Sequence, residues 1–433
     1  MRFFRALEYF NKIQLLGDVP WLEVDLNVDS EELYGPKMKR NQVFQKIIED
    51  LDFAIQWLPE AGSEEANRLN KDIARHVKAR FCLNEGTHYK YHDELEYASE
   101  AEKWLQMAAT ESDKLITSGR YEIYNTGHPQ EDYFNMYRID DKSDLKEAVL
   151  YVDYKTDIRE HNMAAAGREA GCGFSKSFVE SFLCSDGLPI SLSNKYLGDE
   201  TMRKETANRD PRLKQLILTN DFPTNVTDDL KDSTFVVNED EFITQHCFTG
   251  YRPIKGFNPI YSQALYMKSS FDGIAYRYAE TLLINAEAKA ELNTITDADL
   301  DRTINQLRDR VGMPHLTVNV GFTDPKWPDW GYSLSPVLQE IRRERCIELA
   351  GEGFRFNDLK RWKAGKLLNN VLTYVGKRKP DGNLAIVYPN YTNPDLSYQA
   401  GKSRTWEDKM YLYPIPTGEL QRNPQLLPQN PGW

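Results

Sequence analysis

Residues 276–292, YRYAETLLINAEAKAEL, predict the strongest helix of the chain. Apolar side chains recur in this segment at spacings of three and four, which places them along one side of a helix. These side chains are Tyr278, Leu282, Leu283, Ala286, Ala290 and Leu292. A helix with such a face needs other helices to cover it, so we expect a helical frame around this segment.

The first third of the chain supplies helices for that frame. Residues 43–58 carry apolar side chains at helical spacing, and Pro59 ends this helix. Two longer helices are predicted over residues 71–89 and 97–117, with a short polar turn between them. Two helices joined in this way resemble one unit of a tetratricopeptide array.

Residues 120–270 differ in composition from the helical regions. Asp, Asn, Gly, Pro and Ser are frequent, and the strand-like runs are short, for example 148–152 and 216–218. This pattern predicts an irregular, loop-rich part with small β-sheets. Helices return in the C-terminal third and are predicted over 299–311 and 336–349.

The predicted fold class is therefore mainly α, with a tetratricopeptide-like frame of helical pairs and an irregular domain that contains small β-sheets. Four parts are expected along the chain. They are residues 1–119, the helical N-terminal part; 120–270, the irregular α+β part; 271–376, the helical C-terminal repeats; and 377–433, an extended segment packed on the frame.

Composition and charge argue against several classes of function. The chain has 433 residues and a net charge of −12, and it lacks the basic stripe that nucleic-acid-binding proteins carry. Its five cysteines include no CxxC motif, so we interpret them as isolated buried thiols and not as zinc ligands. No run of about 18 apolar residues occurs, so no membrane-spanning helix is predicted.

Acidic residues and arginines interleave in residues 340–362. Glu344 and Glu348, one helical turn apart, suggest the carboxylate pair of a glycoside hydrolase. So many neighbouring guanidinium groups hold carboxylates ionised, however, which is wrong for a general acid. We therefore predict an ion-pair network that ties helices together. Its predicted members are Arg277, Glu280, Glu344, Arg345, Glu348, Arg355, Asp358 and Arg361.

Exposed aromatic faces with hydrogen-bonding groups at their edges can bind a ligand by stacking. Trp327, Trp330 and Tyr332 lie in a loop rich in Pro, Gly and Asp, and they form the aromatic cluster that we expect to be most exposed. The other candidates come from the irregular part. They are Tyr154, Phe174, Tyr196 and Tyr261. The alternative is that these rings pack under their own loops or against a partner protein.

Two features could suggest a metal ion, and neither has the pattern of a known site. His88 and His92 have the spacing of a zinc-binding pair, but no glutamate follows His88, so we interpret them as solvated histidines at a helix end. Two pairs of adjacent aspartates, at 140–141 and 228–229, lack the spacing of a calcium loop. We predict neither a metal site nor a cofactor.

Several separated segments carry a resemblance to a known family. They are RALEYF at 5–10, LGDVP at 16–20, NRDPR at 208–212, RYAETLLINAEA at 277–288, IRRERCIELAGEGFRFNDLKRW at 341–362, PIP at 414–416 and QNPG at 429–432. In this order and spacing they resemble the SusD/RagB family of Bacteroidetes-type outer-membrane lipoproteins.

The resemblance implies both a fold and a function. Members of this family have a tetratricopeptide-like helical frame, are tethered by an N-terminal lipid to the outer leaflet, and bind glycans or other nutrients. They cover a SusC-like TonB-dependent transporter and deliver the nutrient to it. For this chain we accordingly expect non-catalytic glycan binding at the cell surface, with that transporter as partner.

The family pattern also includes a signal peptide, a lipid-bearing cysteine and further residues before the point that corresponds to Met1. We therefore expect this chain to lack an N-terminal segment and, with it, part of the first helical repeat. Two alternatives for the function stay open. One is a helical docking protein without a sugar site of its own, and the other is a helical glycoside hydrolase.

Overall fold

The fold is seen in a computed structural model that describes residues 1–63, 67–164, 173–244, 246–386 and 404–433. Long helices form the N-terminal part of the frame. They are α1 (Arg2–Leu16), α2 (Arg40–Trp57), α3 (Lys71–Tyr91) and α4 (Ala98–Thr117). Each helix packs on the next, so that α1 covers α2, α2 covers α3, and α3 covers α4.

Local sequence explains how these helices start and how closely they pack. On α3, the Asn70 side-chain oxygen accepts hydrogen bonds from the backbone N–H groups of Asp72 and Ile73, which satisfies two donors at the helix start. Gly86 allows α3 to lie directly against α4, because a Cβ atom at this position would be 2.9 Å from Cγ of Leu105. The pair α3 and α4 is therefore a tight unit of the frame.

The irregular part contains short helices and two-stranded sheets. The helices are α5 (Asp132–Asn135), α6 (Lys176–Ser181), α7 (Met202–Thr206) and α8 (Arg212–Leu216). The strands are β1 (Ala148–Val152), β2 (Pro223–Val226), β3 (Ser233–Phe235) and β4 (Gly273–Arg277). β1 pairs antiparallel with β4, and β2 pairs antiparallel with β3. The β1–β4 pair leads the chain back into the helical frame.

The C-terminal part completes the frame. Its helices are α9 (Tyr278–Glu291), α10 (Asp297–Asp301), α11 (Ile304–Arg310), α12 (Pro336–Glu348), α13 (Arg355–Arg361) and α14 (Thr417–Arg422). Strands β5 (Val375–Arg378) and β6 (Leu384–Ile386) form a further antiparallel pair. α9 packs against α3, α4 and α12 and so lies at the centre of the frame.

The burial of α9 exceeds what its apolar spacing predicts. Every residue of this helix except Lys289 is buried, including polar ones on the side opposite the apolar face. These polar groups are paired: Glu280 with Arg80, and Glu287 with Arg361. Buried polar groups need such partners, because an unpaired buried charge is strongly destabilising.

Two of the expected elements differ in the structure. Residues 216–218 do not form a strand, since Leu216 ends α8 and only Ile217 makes an isolated bridge, to Pro253. A short apolar run does not distinguish a buried helix end from a strand. The helix predicted over 299–311 is divided into α10 and α11, which are separated by Arg302 and Thr303.

The histidine pair is also placed differently from the expectation. His88 and His92 are buried, not solvated, and their rings stack with centroids 4.0 Å apart. His92 Nε2 lies 2.8 Å from the backbone oxygen of Lys360, so the pair contacts the C-terminal part. Cys82, Cys184 and Cys247 are buried free thiols and Cys346 is half-buried, whereas Cys172 lies outside the described residues.

The mainly α fold class with small sheets is confirmed. Over the described ranges, none of the helices has the length and apolar character needed to cross a bilayer. The division into four parts stays a prediction.

Candidate functional site

The ion-pair network of the frame is centred on Glu348. Its carboxylate accepts hydrogen bonds from Arg310 Nη2 at 2.6 Å, from Arg277 Nη1 at 2.7 Å and from Arg212 Nη1 at 2.9 Å. Burial alone would raise the pKa of the Glu348 carboxyl. The three guanidinium groups outweigh burial and hold this pKa well below its usual range, so Glu348 is ionised.

A second group of ion pairs joins α9, α12 and α13. Glu287 accepts hydrogen bonds from Arg361 Nη1 at 2.6 Å and Arg361 Nη2 at 2.8 Å. The Nε group of Arg361 donates to Asp358 at 2.9 Å, and Arg345 Nε donates to the same carboxylate at 2.9 Å. Arg361 thus joins Glu287 on α9 to Asp358 on α13, and Arg345 joins Asp358 to α12. These shared contacts hold the three helices in a fixed relation.

Glu280 and Glu344 extend the network to its edges. Glu280 accepts a hydrogen bond from Arg80 Nε at 2.6 Å and lies 2.9 Å from His76 Nε2. Burial opposes its ionisation, but Arg80 and His76 outweigh burial and lower the pKa of its carboxyl. Glu344 accepts a hydrogen bond from Arg308 Nε at 3.0 Å.

Arg355 is the exception, and its predicted place in the network is wrong. Its side chain is exposed at the first residue of α13, and it makes no ion pair or hydrogen bond within the described ranges. Its guanidinium carbon lies 5.9 Å from the centre of the Trp362 ring. Water solvates an exposed guanidinium group, so this charge does not need a carboxylate.

The network offers poor groups for glycoside hydrolysis. A glycosidase needs one carboxyl whose pKa is raised, so that it can donate a proton to the leaving oxygen. Instead, the pKa values of Glu280, Glu348 and Asp358 are lowered by arginine contacts that outweigh burial. In the described part of the chain, no three His, Cys, Asp or Glu side chains are grouped to hold a metal ion.

The loop that we expected to be most exposed is anchored to the frame. We call residues 324–332 the Trp327 loop. Trp330 is only 6% exposed, packs edge-on against Trp362, and donates its Nε1 hydrogen to Gln339 Oε1 at 2.7 Å. Tyr332 stacks on Tyr91 with centroids 4.3 Å apart. The expected exposure of Trp330 is therefore wrong, because its ring helps to form the core around Trp362.

Trp327, like Tyr332, is half-buried in this loop. Its Nε1 hydrogen is donated to Glu340 Oε1 at 2.7 Å, which fixes the indole beside α12. Trp327 and Trp330 both border a cavity of about 600 Å³, which lies between α6, α12, α13, the Trp327 loop and residues 367–373. We call it the α12 cavity. Tyr332 does not border it.

Three of the other candidate rings are half-buried. Phe174 stacks on Phe178 with centroids 4.4 Å apart and lines a second cleft, of about 840 Å³, between α1, α3 and the irregular part. Tyr196 lies under the guanidinium group of Arg209, 5.4 Å from its carbon. Tyr154 packs against the ring of His161. These contacts leave each ring partly covered.

Tyr261 lies in the loop with the most exposed aromatic side chains of the irregular part. We call residues 260–268 the tyrosine loop. Tyr261 is 51% exposed and Tyr266 is 70% exposed. Between and beside them, Leu265 and Met267 are also exposed. Sugar rings bind to aromatic faces of this kind, which are apolar on the face and polar at the edge.

Hydrogen bonds hold the tyrosine loop in place. The Tyr261 N–H donates to the backbone oxygen of Val226 at 2.9 Å, and the Met267 N–H donates to Asn162 Oδ1 at 3.0 Å. His161 and Ser269 exchange two backbone hydrogen bonds of 2.9 and 3.1 Å at the end of the loop. The aromatic rings are therefore carried on a braced loop, which reduces the entropy lost on binding.

Polar groups surround the tyrosine loop. Lys268 Nζ lies 3.0 Å from Glu160 Oε2 and 3.4 Å from Asp157 Oδ1, and Asp228 Oδ1 accepts a hydrogen bond from the Ser262 N–H at 2.9 Å. Such groups are suited to the hydroxyls of a sugar. Tyr154 lies on the segment that pairs with the end of the loop, since Thr156 bonds Ser270.

The predicted aromatic residues thus do not converge on one site. The Trp327 loop borders the α12 cavity, Phe174 borders the second cleft, and Tyr261 is exposed in the tyrosine loop. Their assignment to ligand binding stays a prediction. Tyr266 was missed, because an isolated tyrosine in an irregular loop carries no spacing or motif that predicts its exposure.

Comparison with known proteins identifies the family. Residues 109–433 match the SusD family. The chain belongs to this family, and the resemblance inferred from its motifs is confirmed. Over its whole length the chain is 24% identical to SusD-like protein P2 of Formosa agariphila, in an alignment of 444 residues that covers 73% of that protein.

Solved structures share the fold. A SusD-like protein of Bacteroides fragilis is 24% identical with a TM-score of 0.73, and the match covers 100% of this chain and 78% of that one. A SusD-like carbohydrate-binding protein of the same species is 22% identical with a TM-score of 0.70, covering 98% and 78%. Surface glycan-binding protein A of Bacteroides uniformis is 17% identical with a TM-score of 0.55, covering 99% and 76%.

Proposed function

We propose that this protein binds a glycan at the surface of the outer membrane, without cleaving it, and passes it to a TonB-dependent transporter. Membership of the SusD family supports the outer-membrane location and the transporter as partner. One protein of the same fold is described as carbohydrate-binding and another as a surface glycan-binding protein. The observation that carries the proposal is the pair of exposed tyrosines on a braced loop.

The tyrosine loop is the proposed place of glycan contact. Tyr261 and Tyr266 expose 51% and 70% of their surfaces, which leaves ring faces available for the apolar C–H face of a sugar. Asp228, Glu160 and Lys268 lie next to the loop and supply hydrogen-bonding groups for sugar hydroxyls. A long neutral polymer can lie across such a surface without being enclosed.

The absence of catalysis is supported by the state of the carboxylates. The acidic residues of the family motif are engaged by arginines inside the frame, and lowered pKa values leave Glu280 and Glu348 unable to donate a proton near neutral pH. The frame therefore acts as a support, and the proposed binding groups lie on a loop that it carries.

Affinity gel retardation on a panel of polysaccharides tests this proposal. We expect one polymer to retard the protein, and the double substitution Tyr261→Ala with Tyr266→Ala to abolish the retardation. Tyr413→Ala is the matched control, because Tyr413 is also 51% exposed but lies in the C-terminal segment. Removing one stacked aromatic ring costs about 0.5–1.5 kcal/mol, so losing both rings costs about 1–3 kcal/mol and the double variant should bind roughly five- to hundredfold more weakly.

Trp327→Ala belongs in the same experiment as a test of location. Loss of retardation in this variant alone would place the glycan beside Trp327, a candidate from the sequence, and not on the tyrosine loop. Retardation on no polymer would contradict glycan binding and favour a docking protein, for which the exposed Leu265 and Met267 would be the contact surface.

A further inference from the structure

The α12 cavity has walls that differ from those of a sugar-binding surface. Its volume is about 600 Å³, within the range that small-molecule sites occupy. Much of its wall is aliphatic or aromatic. The apolar side chains are Phe178, Ile190, Leu359, Leu367, Leu368 and Leu372, together with the two indoles of the Trp327 loop. Leucine-rich walls suit an apolar ligand body better than a hydroxyl-covered one.

Most charged groups on these walls are already neutralised by partners. Arg343 donates to Asp324 at 2.6 Å and to Glu340 at 3.1 Å, and it also donates to the backbone oxygen of Ser181 at 3.0 Å. Lys326 lies 3.2 Å from Glu180. These groups therefore have their charge balanced without a ligand.

One cationic side chain on the walls has no charge partner. Arg355 makes no ion pair or hydrogen bond with any described residue. Arg342 is different, because it pairs with Glu291 at 2.9 Å and its guanidinium carbon lies 4.7 and 4.3 Å from the ring centres of Trp330 and Trp362. The exposed guanidinium group of Arg355 is therefore the one that an anion from outside the chain could reach on this wall.

One wall residue carries an unmatched negative charge. Asp329 is exposed and makes no ion pair with a described residue, but its Oδ1 accepts the Gly331 N–H at 2.9 Å, which turns that oxygen toward its own loop. Asp329 lies in the Trp327 loop and Arg355 begins α13, so they approach the cavity from different elements. Arg355 is the cationic side chain of these walls without a carboxylate partner among the described residues, and it favours an anionic group at its end of the cavity.

We propose that the α12 cavity binds a small organic anion with an apolar ring or chain, whose carboxylate or sulfonate group pairs with Arg355. The apolar body lies between Trp327 and the leucines of residues 367–373. Arg355, which borders the cavity, supplies a charge-assisted fork for the anion. This site is separate from the tyrosine loop and does not depend on glycan binding.

A matched pair of fluorescent probes tests the charge requirement. Anilinonaphthalene sulfonate has a sulfonate group, and phenylnaphthylamine has the same aromatic rings without it. We expect Arg355→Gln to weaken binding of the sulfonate about tenfold, the loss expected for one charge-assisted hydrogen bond, and to leave binding of phenylnaphthylamine unchanged. Asp329→Asn is the control, and it should leave the sulfonate affinity the same or slightly higher.

Cys346 reports whether the probe is in this cavity. It lines the α12 cavity and is half-buried, whereas Cys82, Cys184 and Cys247 are buried. In a Cys172→Ser background, saturating sulfonate should slow the alkylation of Cys346 by a maleimide at least fivefold. Equal sulfonate affinity in Arg355→Gln and the parent protein would overturn the proposal. So would an alkylation rate that the sulfonate does not change.

Discussion

Glu348, in the buried ion-pair network, and Tyr266, in the tyrosine loop, represent two regions of this protein that differ in how far their side chains are exposed. Glu348 is fully buried and its carboxylate is bonded to three guanidinium groups inside the frame. Tyr266 exposes 70% of its surface from a loop. The acidic motif residues, which are easy to notice in the sequence, are thus less available to a ligand than the tyrosines of the loop.

The tyrosine loop is connected to the frame through β4. The network fixes α9, α12 and α13 against one another, and β4 leads directly into α9 through Arg277. The segment before β4 contains Ser269, which pairs with His161 at the end of the tyrosine loop. A rigid frame therefore positions a loop that has few buried contacts of its own.

The largest expected effect on stability comes from removing the carboxylate at the centre of the network. Glu348→Gln leaves Arg212, Arg277 and Arg310 buried without their shared carboxylate. Breaking a buried ion pair in this way should lower the free energy of unfolding by about 3–5 kcal/mol. Urea denaturation followed by circular dichroism measures it.

Glu419→Gln is the control for this prediction. Glu419 and Arg422 form an ion pair of 2.9 Å on the surface, with both side chains more than half exposed. Its removal should change the free energy of unfolding by less than about 0.5 kcal/mol. If both substitutions had the same small effect, the buried network would not stabilise the frame.

A smaller effect is expected at Trp330. Trp330→Phe keeps an aromatic ring beside Trp362 but removes the hydrogen bond to Gln339 and part of the buried surface. We expect a loss of about 1–2 kcal/mol in the free energy of unfolding. Trp57→Phe is the matched control, since Trp57 is 68% exposed on α2 and its replacement should have little effect. Retention on a polysaccharide should be unchanged in both variants.

The smallest of these effects is a pH dependence. The folded pKa of Glu348 is below its ordinary value of 4.5, so its contribution to stability is complete above pH 4.5 and is lost as the pH falls toward the folded pKa. Between pH 5 and pH 4 this one group should contribute a loss of less than about 1.4 kcal/mol. The same measurement on Glu348→Gln should give a shallower slope. Identical slopes would mean that Glu348 has the same pKa in both states.

The long helices were predictable from the sequence. The helix expected over 71–89 is α3 (Lys71–Tyr91), and the one expected over 336–349 is α12 (Pro336–Glu348). These segments are long and strongly periodic, and Pro336 fits the first turn of its helix, so several local signals agree. β1 was also predictable, since it spans residues 148–152 as expected.

The exposure of individual rings was not predictable. Trp330 lies in a loop with Pro, Gly and Asp, and such loops are usually exposed. This loop instead folds back, so that Trp330 packs against Trp362, a residue more than thirty positions away. Tyr266 is 70% exposed, although its irregular loop carries no sequence signal of exposure. Both outcomes are set by tertiary packing and not by local propensity. Arg355 is a similar case. It lies in the same motif as the paired arginines Arg345 and Arg361, but its side chain is exposed and theirs are buried.

The central claim is that this protein holds a glycan and does not cut it. The most direct measurement combines gel retardation on each polysaccharide with an assay for newly formed reducing ends on the same polymer. We predict retardation on one polymer and no release of reducing ends. Release that disappears in Glu344→Gln would contradict the claim and identify the protein as a glycoside hydrolase.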